Sequence, residues 1–191
     1  MLSDGAGCVL LTDKPMGKMS LEIKWIESVS YANVLDVCMS QGLFDSQDGT
    51  KQTWKQISPY DWQKHSIFSI KQDVKILSEH VAEKAVEHIY NSCKKHNFSF
   101  TDVDYFLPHL SSMFFWKKLE DKLKEKGLLL DTEKWFTNLT RVGNIGSASI
   151  YVMLDELCRT RQLHNGELIY LIVPESGRFS YTTALLEVRL S

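Results

Sequence analysis

The chain has 191 residues, 43% of them hydrophobic and 11% aromatic, enough apolar material for one domain to bury most of its non-polar surface. A formal net charge of -2 and a pI near 6.3 exclude the strong basic excess with which proteins hold nucleic acid or anionic membranes. No apolar run reaches the roughly 20 residues that span a bilayer, and the opening MLSDGAGCVLLTD carries an Asp and no basic n-region, so a soluble, cytoplasmic protein is expected.

Ala6 to Leu11, after the turn Ser3-Asp4-Gly5, reads as a short buried strand. A strand apolar on both faces belongs inside a layered sheet. Here nothing precedes it to supply neighbours, so the chain is expected to be cut from something longer. Leu21 to Tyr31 alternates as a second strand, and Ser40 to Tyr60, rich in Gly, Ser, Asp and Gln, reads as a long loop. From Ile70 the apolar positions Val74, Leu77, Val81, Ala85 and Ile89 predict a helix of about seven turns that ends near Lys94 to Asn97.

Val103 to Leu107 is a short apolar strand stopped by Pro108, and Phe115, Leu119 and Leu123 mark the buried stripe of a helix ending at Gly127. Ile150, Leu154 and Leu157 predict a third helix, started by Ser147 or a neighbour. Asn165-Gly166 breaks the chain before the apolar strand Leu168 to Val173. After the turn Glu175-Ser176-Gly177-Arg178, Tyr181 to Val188 returns antiparallel to it. This order predicts an α/β fold, layered αβα, with a mixed, mostly parallel sheet and one antiparallel edge strand.

Cys8, Cys38, Cys93 and Cys158 lie far apart with no Cys-x-x-Cys pair, which predicts reduced thiols. Cys93 and His96 have a ligand-like spacing, with His80 and His88 on the same helix, but no second pair completes a metal site, and none is expected.

Three segments put polar groups where a strand meets a turn or helix, the usual place for an active site in an α/β sheet: Pro108-His109, Gly143 to Ser149, and Ser176-Gly177. Each alone is weak. A His after a strand is more often structural, an Asn between glycines is more often a turn residue, and a hairpin Gly is usually just a Gly.

Their order and spacing resemble the β-ketoacyl-acyl carrier protein synthase III family. That family has an apolar strand ending in Pro-His-Gln-Ala-Asn, where this chain has Leu107-Pro108-His109-Leu110-Ser111-Ser112. Some thirty residues on it has Gly-Asn-Thr-Ser-Ala-Ala-Ser-Ile, matched by Gly143-Asn144-Ile145-Gly146-Ser147-Ala148-Ser149-Ile150. Its last glycine-rich turn is similar to Glu175 through Tyr181, and Leu2-Ser3-Asp4-Gly5-Ala6-Gly7 resembles the Gly-Asp-Gly-Ala-Gly segment that ends its N-terminal half. The resemblance covers the whole chain but half the family's length. It implies the C-terminal half of a thiolase-like fold, with residues 1-31 the last strand of the N-terminal half and the first of the C-terminal half. Residues 32-69 would be a loop or insertion, and 70-191 the remainder.

The resemblance implies a decarboxylative Claisen condensation of an acyl-cysteine with a malonyl-type thioester, in fatty acid, specialised lipid or polyketide synthesis. The cysteine would sit in the other half, leaving this chain inactive alone. His109 and Asn144 would donate hydrogen bonds to the enolate oxygen, and Gly177 would give its N–H to the oxyanion of the acyl-cysteine. Phe114, Ile145, Gly146 and Ser176 become pocket candidates. Acyl carrier protein or coenzyme A thioesters would be substrates and partners, no cofactor would be covalently bound, and the whole enzyme would be a homodimer.

The sequence also departs from the family. Phe114 replaces an Arg that helps bind the carrier protein or coenzyme A, though Lys117 and Lys118 follow it; Ser176 and Arg178 thin the glycine turn, and Tyr181 replaces a Trp. Together these imply a divergent member. Two other functions fit the same fold: a non-catalytic subunit that completes a partner or holds a carrier protein, and an acyltransferase forming esters or amides. The His109 and Asn144 pair favours condensation over both.

Overall fold

The computed structural model describes residues 2–46 and 48–191. The chain forms two compact units: Met1–Val29, Ala82–Pro174 and Tyr181–Ser191 make the first, and Ser30–Val81 with Glu175–Ser180 the second.

The first unit is built on a four-stranded sheet of β1 (Met19–Ser30), β6 (Tyr105–Pro108), β7 (Leu168–Glu175) and β8 (Ser180–Leu190), in the order β1-β8-β7-β6. β6 and β7 run parallel, with Tyr105 opposite Ile169 and Pro108 opposite Ile172. β7 and β8 are neighbours joined by four residues, a connection short enough only for an antiparallel hairpin. The hydrogen bonds from Ser191 N to Lys18 O (3.2 Å) and from Tyr31 N to Phe179 O (3.0 Å) bring opposite ends of β1 and β8 together, so this pair is antiparallel too. The sheet is therefore mixed, as expected, but parallel pairing is confined to β6–β7 rather than prevailing.

Alternation along the strands sends side chains to two covered faces. On one, Leu107, Ile169, Leu186 and Val188 meet Met153 and Leu157 of α4 (Ser149–Thr160), Phe136 and Leu163. On the other, Phe106 and Tyr170 pack edge-on to Phe100 at 5.3 and 5.2 Å, and Thr183 bonds to Ser92 and His88 of α1 (Val74–Lys95), each at 3.2 Å. Helices thus cover both sheet faces, the layered arrangement the sequence predicts. The continuous apolar run of β7 follows from burial on both sides. Pro108 is tolerated because β6 is an edge strand, where a missing N–H breaks no inner ladder.

Ala6 to Leu11 is neither a strand nor buried, contrary to expectation. The segment finds no hydrogen-bonded ladder among the described residues. Instead the residues just before it lie against those leading into α4: Ser3 N donates to Asn144 O at 2.8 Å. Gly5 and Gly7 approach so closely that a Cβ would come within 2.7 Å of Ile145 Cδ1 and 2.5 Å of Tyr151 Cβ.

In the second unit, the stretch read as loop carries two antiparallel ribbons, β2 (Met39–Ser40) with β5 (Lys71–Gln72) and β3 (Leu43–Asp45) with β4 (Lys51–Thr53). Gly42, at φ +76, reverses the chain between them, its N–H donating to Ile67 O and its carbonyl accepting from Trp54 N. Trp62 and Phe68 pack edge-on at 5.1 Å beside Trp54.

Candidate active site

His109 follows β6 and continues its ladder by one residue, N–H to Ile172 O at 2.9 Å. It is only 9% exposed, and burial pushes its pKa below the ordinary histidine value. At neutral pH the ring is therefore uncharged, with one nitrogen that donates and one that accepts.

Asn144 stands between two glycines in the left-handed region, Gly143 at φ +81 and Gly146 at φ +59. Its Oδ1 accepts the N–H of Gly146 at 3.0 Å, which fixes the amide orientation and leaves Nδ2 as the donor. Among the described residues no acceptor meets Nδ2. α4 begins five residues later and crosses from β6 to the parallel strand β7. A helix in such a crossover runs against the strands, so its N-terminus lies at their C-terminal edge. That edge also carries His109. The topology therefore sets His109 and Asn144 at the same edge of the β6–β7 pair.

Sequence reading missed the brace that holds this loop. Asn138, 4% exposed, donates to Glu156 Oε2 at 2.8 Å, and Arg141 of α3 (Leu139–Val142) bonds the other oxygen of the same carboxylate. These two bonds hold the Glu156 carboxyl below its ordinary pKa. They tie the segment that leads into the Asn144 loop to α4. Ser149, at the start of α4, has a buried hydroxyl with no partner among the described residues.

The other predicted residues are placed differently. Gly177 and Ser176 belong to the second unit. The Gly177 N–H, expected to be free for an oxyanion, is taken by Glu175 Oε1 at 2.5 Å, while Glu175 Oε2 accepts from Arg178 N at 3.1 Å. Ser176 Oγ accepts from Gln72 at 3.4 Å. Phe114 opens α2 (Phe114–Glu125) largely exposed, with Lys118 Nζ 4.6 Å from its ring centre. Ile145 is buried beneath Gly5. A cavity of about 280 Å³ lies elsewhere, lined by Leu123, Lys124, Leu128, Leu129 and Trp135, and includes none of the predicted site residues.

Burial raises the thiol pKa of Cys38 and Cys158, and that of Cys93 to about 11, the reverse of what a nucleophile needs. His96, half of the imagined metal pair, instead stacks on Trp25 at 4.5 Å and bonds to Glu27 at 2.8 Å. Among the described residues no group of three or more His, Cys, Asp or Glu could hold a metal ion, and no helix is long and apolar enough to cross a membrane.

Residues 93–188 match the family described as 3-Oxoacyl-[acyl-carrier-protein (ACP)] synthase III C terminal. A stretch of 101 residues, 53% of the chain, is 32% identical to the beta-ketoacyl-[acyl-carrier-protein] synthase III of Clostridium beijerinckii and covers 29% of that protein. Among solved structures, AbyA1, a tetronic acid condensing enzyme, superposes with a TM-score of 0.66 at 15% identity over 87% of this chain and 45% of its own. The 3-oxoacyl-[acyl-carrier-protein] synthase III of Aquifex aeolicus does so at 0.60 and 18% identity, over 91% and 46%. The chain thus spans less than half the length of each of these relatives.

Proposed function

Because the chain belongs to the 3-oxoacyl-[acyl-carrier-protein] synthase III C-terminal family, we propose that it is the half of a condensing enzyme that generates the carbon nucleophile. The observation that carries this is the donor pair at the C-terminal edge of β6 and β7. His109 is held neutral by burial, and Asn144 has its oxygen tied to Gly146 and its nitrogen free.

In this reading a malonyl-type thioester of acyl carrier protein or coenzyme A places its carbonyl oxygen between His109 and Asn144. Loss of carbon dioxide leaves an electron pair on the α-carbon and negative charge on that oxygen, which the two donors stabilise. The carbanion attacks an acyl-cysteine carbonyl; a carbon-carbon bond forms, the carbon-sulfur bond breaks, and the thiolate leaves. In keeping with the family resemblance that cysteine comes from the N-terminal half, and burial raises the thiol pKa of Cys38, Cys93 and Cys158 in this one. Neutral donors suit the step: a charged imidazolium would favour the malonyl carboxylate it must lose. The whole enzyme is cytoplasmic and dimeric in this reading.

A non-catalytic assembly subunit is the second reading, favoured by the occupied Gly177 N–H. The intact mass of the protein from its native source, before and after incubation with acyl-coenzyme A, separates the two. The condensing enzyme predicts a mass about twice 22.0 kDa that gains an acyl increment removable by hydroxylamine. A mass near 22.0 kDa that never gains an acyl group, alone or with a co-purifying chain, overturns it.

A further inference from the structure

We propose that the backbone N–H groups of Gly177 and Arg178 form a preorganised anion site whose resting occupant is the chain's own Glu175 carboxylate, and that this side chain gates the site. Both oxygens of one carboxylate are engaged by N–H groups of consecutive residues, at 2.5 Å from Gly177 and 3.1 Å from Arg178. Convergent neighbouring amides of this kind make a concavity that prefers negative charge.

The cradle is held by bonds that do not involve Glu175. Gly177 O accepts the Cys38 N–H at 3.1 Å, and Cys38 O accepts the Asp73 N–H at 2.7 Å. Ser176 Oγ accepts from Gln72, and Phe179 O accepts from Tyr31 N at 3.0 Å. Gly177 is buried, and Phe179 is 0% exposed. Glu175, by contrast, is exposed and can leave. With Glu175 in place the turn leaves no room for a side chain at 177, where a Cβ would stand 2.6 Å from Glu175 Oε1. A fixed pair of donors is thus closed by a movable acidic side chain.

An N–H that donates to Glu175 cannot at the same moment donate to a thioester oxyanion, so the two compete for one site. The tethered carboxylate competes at an effective concentration in about the millimolar range or above. As a gate on condensation the proposal rests on the condensing-enzyme reading; as an anion site it does not.

The test is an acetate titration of the full 191-residue chain at constant ionic strength and pH 7, read from the backbone amide resonances of Gly177 and Arg178. In Glu175→Ala both amides are expected to shift saturably, while the unsubstituted chain requires at least about tenfold more acetate, because its own carboxylate must first be displaced. The Cys38 and Tyr31 amides report whether the cradle survives. If Ala disturbs it, Glu175→Gln keeps a neutral acceptor at the turn and is expected to respond between the other two. Amides that do not move in either variant, or that respond alike with and without Glu175, overturn the proposal. Failure of the condensing reading shows as absent acylation and leaves this titration unaffected.

Discussion

The Asn144 loop and the Gly177 turn both pair a glycine with a hydrogen-bond donor near the end of a strand or helix, yet they spend their hydrogen bonds in opposite ways. Asn144 gives its oxygen to the fold, through Gly146 N, and its nitrogen has no partner among the described residues. Gly177 gives its donor to the fold, through Glu175, and keeps nothing. A donor's position in a motif therefore says where chemistry could occur. Whether the donor is available depends on what the neighbouring side chains already hold, and a single carboxylate reverses the answer.

The contrast breaks first if α4 does not support the Asn144 loop. Leu157 is fully buried in the core under β6 and β7, so Leu157→Ala should cost about 2–5 kcal/mol in urea unfolding. A loss under about 1 kcal/mol would mean that the helix is not anchored as described. Next in size is Gly143→Ala. A side chain at φ +81 is strained and would press on Ser3, at a cost of about 1–2 kcal/mol, seen as a lowered denaturation midpoint.

Asn144→Asp sharpens the comparison further. It retains an oxygen for Gly146 but has no N–H to offer, so folding stability should stay within about 0.5 kcal/mol while any decarboxylation is lost. A large stability loss would assign the amide nitrogen a structural role.

The His109 side of the pair is checked by pH. Its folded-state pKa lies below the unfolded value of about 6.5. The unfolded chain therefore takes up the proton first as pH falls. Stability is intact above that value and is lost as pH drops through the lowered folded-state pKa. His88, buried and shifted the same way, adds to this slope. His109→Gln should flatten it in part, and an unchanged slope would mean that the imidazole is not held neutral. The smallest effect is expected at Arg159, whose pair with Asp155 is exposed on both sides: Arg159→Ala should change stability by at most about 0.5 kcal/mol.

Much of the fold was legible because long periodic elements carry their own signal. The spacing of Val74, Leu77, Val81, Ala85 and Ile89 matches α1, and the apolar run after Asn165-Gly166 matches β7. Ala6 to Leu11 was misread because an apolar run becomes a strand only with neighbours to bond, and among the described residues it has none. The ribbons at 39–72 were missed because strands of two or three residues show no alternation. His109 and Asn144 stand out as candidates through the order and spacing that carry the family resemblance. The Asn138–Glu156–Arg141 brace could not, since its partners lie 15 and 18 residues apart and meet only when α3 folds beside α4. The capture of the Gly177 N–H was equally hidden, being a side-chain to backbone contact that leaves no pattern in the sequence.

The most direct test of the paired-donor claim is release of labelled carbon dioxide from malonyl-coenzyme A by the protein purified from its native source, with His109→Ala and Asn144→Ala introduced into the encoding gene. The account predicts release by the unsubstituted protein and a drop of about 10²–10³-fold in each variant, the size expected when one oxyanion donor is removed. Undiminished release in both variants would contradict it.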